Sequence, residues 1–109
     1  MNKIADTPKP PYYAVIFTSL KNPDDTGYTN TAALMNELAG KQPGYLGIES
    51  AREDLGITVS YWKDLESIKA WKQNSEHLFA QKMGREKWYA HYKTRICLVE
   101  RDYEFTTGI

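Results

Sequence analysis

The chain has 109 residues, with 14 basic and 14 acidic side chains and one cysteine. That length holds one core, which excludes a separate cofactor domain and leaves a single fold to do everything. The balanced charge, without any Lys/Arg run, excludes a surface that tracks nucleic-acid phosphates or anionic lipid, and Cys97 alone cannot close an internal disulfide.

The opening residues lack the apolar core of a secretory signal, and no apolar stretch approaches the roughly 18 residues of a spanning helix, so a soluble cytoplasmic protein is expected. Pro8, Pro10 and Pro11 oppose both helix and central strand, and residues 1–11 read as an extended, loosely held arm. A single domain is expected over 12–104, with 105–109 as a tail. YYAVIFTSL, from Tyr12 to Leu20, is aromatic, β-branched and apolar on both alternating faces, as a strand covered on both sides would be. A loop follows in which Asp25 or Thr26 can cap a helix carrying Ala32, Met35, Leu38 and Ala39 at three- and four-residue spacing; Gly40 and Pro43-Gly44 end it.

Two strands are then predicted, Tyr45 to Arg52 and Ile57 to Trp62, joined by the turn-forming Glu53-Asp54-Leu55-Gly56. Asp64 can cap a second helix with Leu65, Ile68 and Trp71 on one stripe. Asn74-Ser75 predicts a bend or split, with the pattern restarting at Leu78, Phe79 and Met83. The last strand is expected from about Tyr92 to Tyr103, with Cys97 as a small buried hydrophobe between Ile96 and Leu98.

The order β-α-β-β-α-β gives an α+β, ferredoxin-like fold, in which right-handed crossovers place both helices on one face of a four-stranded antiparallel sheet. Tyr13, Val15 and Phe17 point to one face and Ala14 and Ile16 to the other, while Ile57 and Val59 oppose Trp62. The face without helices is therefore also apolar, which predicts a homodimer.

On that order, Tyr61-Trp62-Lys63-Asp64, Trp71, Ser75-Glu76-His77, Gly84-Arg85-Glu86-Lys87-Trp88-Tyr89 and the run RICLVERDY from Arg95 resemble the antibiotic biosynthesis monooxygenase (ABM) domain family, in a small bacterial branch of it. The resemblance covers about residues 12–104. It implies a dimeric α+β barrel with a pocket between sheet and helices in each subunit. It also implies several possible functions, from cofactor-independent oxygenases of aromatic quinols to haem-degrading enzymes, so residues must decide. For haem degradation, Trp71 could match the family's helix Trp, but Gln81 and Lys82 stand where its haem-ligating His is expected and the first strand lacks its Asn. Haem degradation is therefore disfavoured.

His77 matches a His that many family members carry. It reads either as a general base near neutral pH or as a helix His bonded to a nearby carbonyl. Trp71 and Phe79 are candidate cavity walls, and Tyr61, Arg52 and Tyr89 candidate polar contacts, each with a structural reading beside it. Trp62 reads as a core anchor, and His91 as solvent-facing. Two His without a Cys or carboxylate cluster make no metal site. The leading expectation is a cofactor-independent monooxygenase acting on an aromatic or quinol-type molecule. The alternative is a dimer that only binds an apolar metabolite or serves in stress.

Overall fold

Six elements follow one another as strand, helix, strand, strand, helix, strand: β1 (Tyr12–Lys21), α1 (Tyr28–Gly40), β2 (Tyr45–Arg52), β3 (Leu55–Trp62), α2 (Leu65–Lys82) and β4 (Tyr89–Val99). The computed structural model describes residues 4–24, 27–82 and 88–108, and for 77–82 the backbone alone. The four strands form one antiparallel sheet in the order β2-β3-β1-β4. This is the ferredoxin-like arrangement predicted from the element order.

The period-two alternation of the strands decides which side chains meet the helices. Registers pair Val15 with Ser60 and Ile96, and Phe17 with Thr58 and Thr94, all on the helical face. One position along, Ile16 pairs with Val59 and Arg95, and Thr18 with Ile57 and Lys93, on the outer face. The fully buried Trp62 anchors the helical side, donating its indole N–H to Ser60 Oγ at 2.8 Å and stacking on Trp71 with centroids 6.1 Å apart. The Trp62 expectation stands.

Several local expectations change. The proposed caps Asp25 and Thr26 lie outside the described residues; Gly27, left-handed at φ 85°, is the N-cap of α1 and offers no side-chain oxygen. Asp64 does cap α2, accepting the Ser67 N–H at 2.8 Å, and hydrogen bonding from the Ser67 side chain, then from its backbone, holds the Asp64 carboxyl below the usual range. The helix does not break at Asn74-Ser75. Ser75 Oγ donates back to the Lys72 carbonyl at 3.1 Å and Asn74 donates to Gln42 at 3.1 Å, so both polar side chains find partners without interrupting α2. Cys97 is exposed rather than buried: it lies opposite Ala14 on the outer face, where no helix covers it.

The Pro-rich arm is tied to the sheet. The Ala5 N–H donates to Glu49 Oε2 at 2.9 Å, and Thr7 donates to the Tyr12 hydroxyl, which donates to Asp102 at 2.7 Å. A Cβ at Gly47 would meet that of Ala5 at 2.8 Å, so the missing side chain at 47 is what lets the arm lie close. No described helix is long and apolar enough to cross a membrane.

Candidate functional site

Helical periodicity places a cavity between the two helices and the sheet. Along α1, Tyr28, Thr31, Ala32, Met35 and Ala39 recur on one stripe; along α2, Ile68, Trp71, Lys72, Ser75 and Glu76 do the same. These stripes face the helical side of the sheet across a volume of about 550 Å³, large enough for a small polycyclic molecule. The sheet contributes Val15, Phe17, Ile48 and Ile96 together with the hydroxyls of Ser50, Thr58, Ser60 and Thr94. The resulting lining is apolar with scattered oxygen donors and acceptors.

One end is aromatic. Phe17 meets Tyr89 edge-on at 5.5 Å and Tyr92 at 5.3 Å, and Tyr28 meets Trp88 at 6.0 Å and Tyr89 at 5.8 Å. Tyr89 and Tyr92 are three positions apart and a regular strand would send them to opposite faces. The register slips instead: Leu20 pairs with His91 and Lys21 with Tyr89, so Ala90 is an extra residue and both tyrosines face the cavity. The Tyr89 hydroxyl donates to that of Tyr28 at 3.5 Å. Burial and this bond push the Tyr89 hydroxyl well above the ordinary tyrosine value, while the charge of Arg52 opposes the rise.

Arg52 ends β2 at the same end of the cavity. Its Nη2 donates to Ser19 Oγ, and its guanidinium lies 5.9 Å from the Tyr28 ring centroid. It also lies directly against Gly56, its partner in the β2–β3 register, where a Cβ would collide with it.

Of the residues singled out from sequence, Trp71, Arg52 and Tyr89 come together around this cavity. The side chains of His77 and Phe79 lie outside the described residues. Tyr61 is set apart. It follows Ser60 by one position, so strand alternation turns it to the outer face, where it donates to Glu49 Oε1 at 2.6 Å and meets Tyr12 edge-on at 5.8 Å. Burial, followed by the bond to Glu49, raises its pKa. Tyr28, Ser19 and the row of strand hydroxyls were not singled out, because their significance depends on cross-strand neighbours. Among the described residues, no group of three or more His, Cys, Asp or Glu side chains is placed to hold a metal ion.

A model of the antibiotic biosynthesis monooxygenase family matches residues 11–83, which include the cavity-forming β1, α1, β2, β3 and α2. The chain belongs to that family. A relative from Bacillus subtilis (strain 168), named Uncharacterized protein YqjZ, is 49% identical over 107 residues, covering 96% of this chain and 94% of its own length. Among solved structures, PA3566 from Pseudomonas aeruginosa superposes with a TM-score of 0.66 at 17% identity, over 88% of this chain and 99% of that one. SnoaB, a cofactor-independent oxygenase from Streptomyces nogalater, gives a TM-score of 0.62 at 12% identity, over 92% and 100%. At these identities the solved structures show a common fold and no more. Membership of the ABM family accords with the resemblance carried by Tyr61-Trp62-Lys63-Asp64 and Ser75-Glu76-His77.

Proposed function

We propose that the chain is a cofactor-independent monooxygenase whose substrate is an aromatic or quinol-type small molecule held between the sheet and the two helices. The observation that carries this reading is the cavity itself, about 550 Å³ in volume, with Phe17, Tyr28, Trp71 and Trp88 as flat apolar walls and strand hydroxyls on its floor. Family membership and the likeness of fold to an oxygenase that needs no cofactor support it. An electron-rich quinol ionised in a water-poor site reduces oxygen itself. Both electron pairs come from the substrate, one oxygen atom is retained, and the other leaves as water. The protein then supplies a proton acceptor, orientation and donors to the developing anion.

His77 is the proposed proton acceptor and Trp71 the principal wall, with Phe79 beside it. Arg52 and Tyr89 are the proposed polar contacts. The same reading includes a homodimer formed through the outer sheet face. In an oxygen electrode, purified protein with a naphthohydroquinone is expected to consume oxygen faster than the quinol alone, and His77→Ala is expected to abolish the excess. Equal uptake by the variant removes His77 from the mechanism, and uptake no faster than the quinol alone removes the oxygenase reading.

A second reading, a dimer that binds an aromatic metabolite without turning it over, is favoured by the acid–base character of the described lining. Tyr89 is held protonated, and Glu76 is paired with Lys72 at 3.8 Å. Tight quinol binding without oxygen uptake is the outcome that selects this reading.

A further inference from the structure

Among the described residues that line the cavity, one charge has no counter-charge. Its charged lining residues among those described are Arg52, Lys72 and Glu76. Lys72 and Glu76 stand 3.8 Å apart as an i, i+4 pair on α2 and offset one another. Arg52 forms no ion pair with any described residue. Its Nη2 is satisfied by Ser19 Oγ, but its Nη1 is buried and no described acceptor reaches it. A permanently charged group with an enclosed, unbonded N–H is costly, and such a group is normally paired. Lys21 Nζ sits 4.4 Å from the centroid of the Tyr28 ring, the ring that Arg52 also faces.

The position of the guanidinium is built into the sheet. Gly56 lies opposite Arg52 in the β2–β3 register, and the missing side chain is what makes room for the guanidinium there. Ser19, itself buried on β1, holds the far nitrogen. Three strands therefore fix one planar cation at the aromatic end of the cavity, facing the Tyr28 ring.

We infer that Arg52 forms an anion subsite, and that the aromatic ligand of this cavity presents an anionic oxygen, a carboxylate or a phenolate, to its guanidinium. Ser19 and Gly56 are positioning residues for that contact. This inference rests on the proposed aromatic ligand and narrows it. Neutral hydrocarbons fit the walls but leave the guanidinium unpaired, whereas an anionic ring compound satisfies walls and charge together.

The test is calorimetric titration of the full-length protein with three probes of nearly equal size: naphthoate, naphthamide and naphthol. Naphthoate is expected to bind at least about tenfold tighter than naphthamide. Arg52→Met should remove that preference while leaving naphthamide affinity within about twofold. Gly56→Ala keeps the charge but displaces the guanidinium, and it should reduce the preference in the same direction. It also guards against misfolding of the Arg52 variant, since the added methyl meets the far end of a side chain rather than backbone.

Naphthol identifies the source of the anion. A phenolate subsite lowers the pH at which bound naphthol ionises, read from its absorbance, and a carboxylate subsite leaves that pH unchanged. The inference is overturned if naphthoate shows no preference over naphthamide and bound naphthol shows no shift, or if the preference survives in both variants. Binding of naphthamide in that event leaves the aromatic cavity standing without its anion subsite. Failure of all three probes to bind overturns the inference and the proposed ligand class together.

Discussion

Trp62 shows what a single side chain does here. It is wholly buried, bonded to Ser60 and stacked on Trp71, so Trp62→Ala is expected to destabilise the fold by about 3–5 kcal/mol, measured by denaturant unfolding. A loss below about 1 kcal/mol contradicts its role as anchor. Tyrosines set the alkaline limit. Tyr89, Tyr61, Tyr12 and Tyr45 all have hydroxyls raised chiefly by burial, so the fold favours their neutral forms. The stability they contribute is fully present below the ordinary tyrosine value of 10.0 and is lost as pH rises above it. Tm should therefore hold level from about pH 7 to 9 and begin to fall near pH 10; a tyrosine-dependent fall already below about pH 9 contradicts this. Residue type together with the family resemblance pointed to Trp71, Arg52 and Tyr89, since large aromatics and arginine suit walls and anion contacts. Tyr61 looked equivalent by type, and only strand register separates it from Ser60 beside it.

At the scale of elements, turns and registers carry the site. Gly44 has φ 85° and stands so close to Ser67 at the start of α2 that a side chain there meets both backbone strain and a collision. Gly44→Ala is expected to cost more than about 1 kcal/mol, whereas Gly40→Ala, with nothing near it inside α1, should be neutral or slightly stabilising. Equal costs at the two positions contradict the assignment. Element order and type were legible in the sequence because the aromatic and β-branched run YYAVIFTSL suits a strand and the apolar residues of α1 recur at three- and four-residue spacing. The extra residue at Ala90 was not, because a bulge is a property of a strand pair. Neither was the continuity of α2 through Asn74-Ser75, which follows from the Gln42 and Lys72 partners that these side chains find.

The whole molecule presents two unlike sheet faces. Helices and the cavity occupy one; the other exposes Leu20, Leu55 and Ile57 at 40%, 48% and 42% beside the tied-down arm. A homodimer through that face would bury these side chains and give Cys97 the covered setting first expected of it. Ile57→Glu is then expected to shift sedimentation from dimer to monomer, and a monomeric parent protein contradicts the proposal. The face was legible as apolar from alternation alone, while the arm across Gly47 and Glu49 was not, since proline-rich sequence gives no long-range pairing.

The proposed function places the aromatic ligand in the space between helices and sheet. The chain has three Trp, and their indole N–H signals sample it conveniently: Trp71 and Trp88 line the cavity, whereas Trp62 is buried beside it. Amide and indole N–H spectra recorded during an anaerobic titration with a naphthohydroquinone test the claim directly. Saturable shifts are expected for Trp71 and Trp88 and for the amides of Thr31 and Thr58, with Ala51 and Ile57 on the outer face unmoved. Shifts confined to the outer face, or no saturable shift at all, contradict it.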